Sequence, residues 1–385
     1  MQEPKRTIRV AVIDDGIHES MDFVFATINR CYVEKGRLYQ GTVMPVLPLS
    51  HGTICAAVIA SIETDIELFD IRIFENGSAE MENLDTALEY CISCGVQVIN
   101  LSCGTLNYLE YKKVERTLYK LRRKNVMVVS AFSNQGIMSF PASCRGVFGV
   151  RKDYGKRLKR GEYGFQGFTG SRPENSIVAH IDTMLINGSK LELTANSYAA
   201  PVITGEIVRI RKEDPGCSFR QILKRLFSHG AKYGCLGQEP KKYLSCREKE
   251  IDIPVLGIDH RCGRLKDFLK RKLQADGYHV ATVSEYAWDG TEIPCGCYMD
   301  RKKMLDQDII YTVEHIYEPD IILFFLDRKR FCVDTILDIV DIRISKACGR
   351  IELKSKEDLF VSGVCKEIYE YILNFFSEQE CEYKA

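Results

Sequence analysis

The chain has 385 residues, 45% of them hydrophobic and 28% charged, the composition of an ordinary globular protein with room for two or three domains. Lys+Arg and Asp+Glu are equal at 53 each, so no global field favours nucleic acid or an anionic membrane. No run of about 18 apolar residues could span a bilayer, Met1–Thr7 carries no apolar signal segment, and the 16 cysteines lack the spacing of a disulfide framework, so the expected compartment is the cytoplasm with reduced thiols.

Ile8–Ile13 is a short β-branched run, the pattern of a buried strand, and it ends on Asp14-Asp15-Gly16. From there to Ser50 the pattern is loose, and Pro45 and Pro48 forbid a helix interior. His51–Ile62 is alanine-rich and apolar, a buried helix with His51 near its start. Glu67–Phe74 alternates as a strand does. Asn83–Cys94 places Leu84, Ala87, Leu88 and Cys91 at helical spacing, with Gly95 as the C-cap. Val96–Leu101 is the next strand, Tyr108–Lys124 a basic amphipathic helix, and Val126–Ser130 and Val147–Val150 two further strands. Residues 151–172 read as a surface loop or hairpin, Ile177–Ile181 as a strand, and Asn187-Gly188 as a hairpin turn. Ser197 opens a helix to about Arg211.

Residues 213–250 form a connector, broken at Pro215-Gly216 and holding a short helix over Phe219–Phe227. A second α/β unit follows over residues 251–385. Its elements are strands at Ile253–Ile258, Tyr278–Val283 and Pro319–Leu326, and helices at Arg264–Ala275, Lys302–Tyr317 and Glu367–Phe376. The alternation of strand and helix over residues 1–212 predicts a parallel sheet flanked by helices, with reactive groups at the carboxyl ends of strands. Gly257–Arg264 sits where a phosphate loop would, between strand and helix, but it lacks the Gly-Lys-Ser/Thr ending and is one residue too long. The smaller C-terminal domain is accordingly read as a degenerate P-loop or Rossmann-like unit.

Ser197 alone is an ordinary helix N-cap. A serine hydroxyl becomes a nucleophile only when a base takes its proton, and the base needs an acid to fix its tautomer. His51, in His51-Gly52-Thr53, and Asp14, the first residue after an apolar strand, have the types that such chemistry requires. Asp15 is then a turn or cap residue.

Together these segments resemble the motifs of the subtilisin-like serine proteases (subtilases), whose triad runs in the same Asp…His…Ser order. Val10–Gly16 is similar to the family's strand-to-Asp motif, with Asp15 where Ser or Thr is usual. His51-Gly52-Thr53 with Ala56 and Ala60 resembles its His helix, and Ser197-Tyr198-Ala199-Ala200-Pro201 its Ser-x-Ala-x-Pro motif. Val126–Gly136 resembles the strand that delivers the oxyanion donor, here Asn134, and Gly95–Gly104 the strand that lines the cleft. The resemblance covers about residues 7–212 and implies a catalytic Asp14, His51 and Ser197. It also implies substrate pairing along Ser102-Cys103-Gly104 and a specificity pocket near Ser139 and Phe140. One departure stands out: Ala195-Asn196 replace the family's Gly-Thr before the serine, which predicts a narrower cleft or shifted donor geometry.

No cofactor or metal is expected. Cys91 and Cys94 have a C-x₂-C spacing and Cys295 and Cys297 are close, but neither has a second pair at zinc spacing, no acidic loop specifies calcium, and Lys156–Arg160 reads as a solvated charge run. The expected function is a narrow-specificity cytoplasmic serine endopeptidase that removes the leader from a precursor peptide during natural-product maturation. Its partner is that peptide, with neither nucleic acid nor membrane. Recognising the precursor, gating the cleft and forming a homodimer are the roles open to residues 251–385. The alternative is a peptide-binding or scaffolding protein on a weakened protease fold.

Overall fold

In the computed structural model, residues 7–41, 46–74, 77–167, 172–186, 188–231, 251, 253–284, 291–294, 307–326 and 339–382 are described. They divide into two units, Met1–Pro240 and Lys241–Ala385.

The first unit is organised on Ile8–Asp14 (β1), buried at every residue except Arg9. Thr27–Glu34 (β2) and Arg37–Gln40 (β3) follow as a hairpin, then His51–Ala60 (α1), Ile66–Arg72 (β4) and Met81–Ser93 (α2). Next come Val98–Leu101 (β5), Tyr108–Arg123 (α3), Met127–Ala131 (β6), Phe148–Lys152 (β7), Tyr163–Phe165 (β8) and Ile177–Ala179 (β9). Thr183–Ile186 (β10), Ser189–Glu192 (β11), Ala200–Glu213 (α4) and Phe219–His229 (α5) complete the unit. The nine-stranded sheet has the order β3-β2-β4-β1-β5-β6-β7-β9-β8. All its pairs are parallel except those of the two edge strands, β3 and β8.

Strand side chains alternate between faces. Ile8, Val10 and Val12 join α1 and α4 in one core, with Ile54, Val58, Val202, Ile203 and Ile207. Ala11 and Ile13 are equally buried but lie outside that cluster. They face the other side, where α2 and α3 bury Leu84, Leu88, Val114 and Leu121. The α5 helix, placed by its sequence in the connector, buries Ile222 and Leu226 in this unit's core and stacks Phe219 on Phe148 at 4.4 Å.

The stretch from Gly16 to Ser50, which reads as loose, holds β2 and β3. Their turn is made by Lys35 and Gly36, both at positive φ. Asn187 of the expected Asn187-Gly188 turn lies outside the described residues, although β10 and β11 flank it as an antiparallel pair.

The second unit contains Val255–Asp259 (β12), Gly263–Ala275 (α6), Val280–Ser284 (β13), Ile293–Pro294 (β14) and Gln307–Tyr317 (α7). Ile321–Leu326 (β15), Ile342–Ala347 (β16), Arg350–Lys354 (β17), Leu359–Ser362 (β18) and Cys365–Glu382 (α8) follow. Its sheet has the order β14-β13-β15-β12-β16-β17-β18, parallel up to β16 and antiparallel through β17 and β18. Asp259 accepts from Arg261 N–H at 2.8 Å and pairs with the Arg261 guanidinium at 2.6 Å, so a carboxylate already faces the turn after β12. No helix among the described residues is long and apolar enough to cross a membrane.

Candidate active site

The carboxyl ends of adjacent parallel strands place the expected groups together. Asp14 is the last residue of β1, Ser102 follows β5, and Asn134 lies three residues beyond β6. α1 presents His51 from its first position, and Ser197 sits in the 3₁₀ turn Asn196–Tyr198 that precedes α4.

These elements form one hydrogen-bonded row. His51 Nδ1 lies 2.9 and 3.0 Å from the two carboxylate oxygens of Asp14, and His51 Nε2 lies 2.8 Å from Ser197 Oγ. A carboxylate only accepts, so Nδ1 carries the proton and Nε2 is left to accept from the serine hydroxyl. Asp14 is buried, and the Tyr198 ring packs 4.8 Å from the imidazole.

Asp15 has a separate task. Its carboxylate accepts from the backbone N–H of His51 at 3.1 Å and of Gly52 at 2.7 Å. A negative charge at a helix N-terminus satisfies orphan N–H groups and complements the helix dipole. Ser50 adds the N-cap, accepting from Thr53 N–H and donating to Gly16 O at 2.8 Å. His51 is therefore bolted through its own helix start to the loop that follows Asp14. Gly52 is demanded by this closeness, because a Cβ there would lie 2.6 Å from Gly16 O and 3.2 Å from Asp14 Cβ.

Burial disfavours the charged imidazole, but its neighbours Cys55 and Asp14 raise its pKa and the net direction is upward. Cys55 lies 3.7 Å from Nδ1, and its own pKa is pushed up by burial, so it stands there as a neutral thiol. The Asp14 carboxylate is thus the partner that favours the imidazolium. Among the described residues, Asp14, His51 and Cys55 are the group whose donor atoms lie within 4.8 Å of one another. A metal would need the thiolate, and burial opposes that form. Cys91, of the C-x₂-C pair, is a buried free thiol on the inner face of α2. Cys295 and Cys297 lie outside the described residues.

Asn134 is oriented by its Oδ1, which accepts from Asn196 N–H at 2.8 Å. Ser102 Oγ accepts from Asn100 Nδ2 at 3.0 Å and lies 3.4 Å from Cys55 Sγ. Cys103 is half-buried, and Gly104 must be glycine, since a Cβ would meet Phe140 O at 2.6 Å. Thr105 and Phe140 exchange both backbone hydrogen bonds at 2.8 Å, which joins the 102–105 and 139–141 segments. Ser139 is buried and accepts from Ser133 N–H at 2.9 Å. The Phe140 ring is committed to Tyr111 and Tyr108, at 5.0 and 5.7 Å, so this residue offers the site its backbone.

The Ala195-Asn196 departure creates no backbone strain at residue 195, whose φ of −98° is open to any residue. Asn196 is more than a neutral replacement. Its side chain bonds to the ends of β6 and β7, contacts that no local pattern in the sequence could reveal.

Comparison with known proteins adds the family. Residues 5–263 match the Subtilase family. A thermostable alkaline protease of Halalkalibacterium halodurans is 23% identical over 235 residues, 57% of this chain and 60% of that protein. Subtilisin-like protease SBT6.1 of Arabidopsis thaliana is 32% identical over 115 residues, 26% of this chain and 11% of its own. The chain thus spans 60% of the length of the first of these relatives and 11% of the second. Among solved structures, the S41 psychrophilic protease superposes with a TM-score of 0.50 at 15% identity, covering 61% of this chain and 86% of that one, which establishes likeness of fold.

Proposed function

The chain belongs to the Subtilase family, and from that premise we propose that it is a serine endopeptidase with Ser197 as nucleophile, His51 as general base and Asp14 as the acid that orients it. The observation that carries this reading is the continuous row Asp14–His51–Ser197, with contacts of 2.9 and 2.8 Å. Ser197 Oγ attacks the scissile carbonyl carbon while its proton passes to His51 Nε2. The carbonyl π electrons move to oxygen, and that oxyanion is met by Asn134 Nδ2 and the Ser197 N–H, at a helix start where N–H groups lack intrahelical partners. Collapse expels the amine, which takes the proton from His51. Water, deprotonated by His51, then attacks the acyl-serine, and the new acid is released as Ser197 Oγ leaves and takes that proton back from His51.

The substrate is an extended peptide pairing along Ser102-Cys103-Gly104 as an added strand, with Ser139 at the pocket. The finer reading is a narrow-specificity protease that removes the leader of a precursor peptide in a reducing compartment. Two features support it. The second unit, Lys241–Ala385, lies beyond the family match from residue 264 onward and offers a separate unit for selecting a substrate or pairing with a second copy. In the first unit Cys31, Cys55, Cys91, Cys94, Cys103, Cys144 and Cys217 are all free thiols.

The test is mass-spectrometric mapping of cuts in an unstructured peptide library that includes leader-bearing precursors, beside Ser197→Ala and with fluorophosphonate labelling of both proteins. Cuts and label that vanish in Ser197→Ala support the peptidase. Label without cuts in random peptides, but with cuts in a precursor, supports the narrow reading. Neither label nor cuts refutes the peptidase and leaves a peptide-binding protein on this fold.

A further inference from the structure

We infer that Asn196 is a positioning residue that sets the oxyanion hole, locking Asn134 and the nucleophile's turn to the ends of β6 and β7. The inference rests on the peptidase reading above. An asparagine side chain offers two N–H donors and one carbonyl acceptor, and here all are used. Asn196 Oδ1 accepts from Lys152 N–H at 2.8 Å, and Nδ2 donates to Phe132 O and Ser133 O at 3.1 and 3.0 Å. The residue is buried at 3% exposure, so water offers these groups no substitute.

The backbone of the same residue completes the device. A backbone N–H can only donate, so the Asn134 atom 2.8 Å from Asn196 N is the carbonyl oxygen. That assignment turns Asn134 Nδ2 to the opposite side of the amide and prevents a flip that would aim an oxygen at a developing oxyanion. Phe132 and Ser133, the acceptors of the Asn196 side chain, immediately precede Asn134, so one residue holds both the strand end that carries Asn134 and Asn134 itself.

Lys152 ties the other end of the turn. Its ammonium donates to Leu193 O at 2.7 Å, Ile181 O at 2.9 Å and Asp182 Oδ1 at 2.6 Å, while its backbone holds Asn196. The segment 193–196 leading to the nucleophile is therefore clamped at both ends by one residue of β7. A threonine, with a single hydroxyl, could not replace three side-chain bonds. The Ala195-Asn196 departure thus exchanges the family's residues for a self-contained brace.

The test is a double-mutant cycle on Asn196→Asp and Asn134→Ala, with kcat and KM measured on a cleaved peptide and melting curves taken for each protein. Asn196→Asp keeps the acceptor for Lys152 but turns oxygen toward Phe132 O and Ser133 O. The expected result is a loss of about 10–100-fold in kcat with KM within about threefold. In the Asn134→Ala background the same change should lower kcat by no more than about threefold, because the group it positions is gone. Asn196→Ser, which keeps one hydroxyl, carries the same cycle if Asn196→Asp does not fold. Losses that multiply fully in the double variant, or a rise in KM alone, would overturn the positioning role while leaving the peptidase intact. Wild-type protein that neither cleaves nor takes a fluorophosphonate at Ser197 would overturn the peptidase reading and this inference with it.

Discussion

A single methyl group at residue 52 tests whether α1 must begin where it does. The Cβ of a Gly52→Ala variant would lie 2.6 Å from Gly16 O, against the 3.4 Å at which ordinary contact begins. The start of α1 must therefore retreat by about 0.8 Å, away from the loop that follows Asp14. Stability and activity then part company. Alanine is favoured over glycine within a helix by about 1 kcal/mol, and overpacking costs about 1–3 kcal/mol, so the fold should lose at most about 2 kcal/mol. His51 cannot compromise in the same way, since its contacts to Asp14 and Ser197 are already 2.9 and 2.8 Å. A misplacement near 1 Å costs about 10²-fold in rate, and kcat/KM should fall by roughly 30–100-fold. The assay is steady-state cleavage of a peptide taken from the library screen, with melting temperature and fluorophosphonate labelling rate alongside. A variant that melts like the wild type and cleaves within about threefold of it would refute the claim that the helix start is sterically fixed against the Asp14 loop.

Other consequences concern pH and the supports of the site. The raised pKa of His51 means that the base is protonated, and so idle, over a wider acid range. The acid limb of kcat/KM should lie above the ordinary histidine value of about 6.5, and a midpoint at or below it would count against this environment. Asp70, buried beside β1, has one oxygen without a partner and a pKa pushed up by burial to about 7. Because the folded value exceeds the unfolded one, ionised Asp70 opposes folding. The penalty is absent below about pH 4, grows toward pH 7 and is complete above it. Asp70→Asn should therefore melt higher than wild type at pH 8, by no more than about 4 kcal/mol in stability, with the difference gone at pH 4; an equal difference at both would sink the account. Asn175 Nδ2 donates to Ala142 O, Cys144 O and Val147 O at 2.8, 3.2 and 3.1 Å, bracing the turn after Ser139-Phe140-Pro141. Asn175→Ala should lower stability by about 1–3 kcal/mol in denaturant titrations, and an unchanged midpoint would show that the turn holds itself.

What could be read from the sequence follows from how local each signal is. Asp14, His51, Ser197 and Asn134 announce themselves because their neighbours repeat family motifs and their strands are continuous apolar runs, the mark of burial on both faces. The β2–β3 hairpin was invisible because Thr27–Glu34 mixes polar and half-buried residues near a sheet edge and lies upstream of two prolines. The antiparallel strands β16–β18 escaped for a similar reason, since half-buried Arg343 and Ser345 alternate with Ile342 and Ile344. Asp15 reads from the sequence as a turn or cap residue, but its partners, and those of Asn196, were beyond reach for a different reason. Asp15 acts on residues 36 and 37 positions away, and Asn196 on residues 44 and 64 positions away, so their meaning exists only once the sheet has closed. Asn196 left a trace only as a departure from the expected motif.

The spacing of the row along the chain has a bearing on how the protein is born. Ser197 follows His51 by 146 residues. A ribosome adding about 5–20 residues per second needs roughly 7–30 seconds to cross that gap. On the peptidase reading proposed above, the emerging chain throughout holds an acid and a base with nothing to activate. Even then the serine's turn has no fixed place until β6 and β7 stand beside it to receive Asn196. Translation itself therefore acts as a timer, and the growing polypeptide is spared from a nucleophile until most of the first unit has left the exit tunnel.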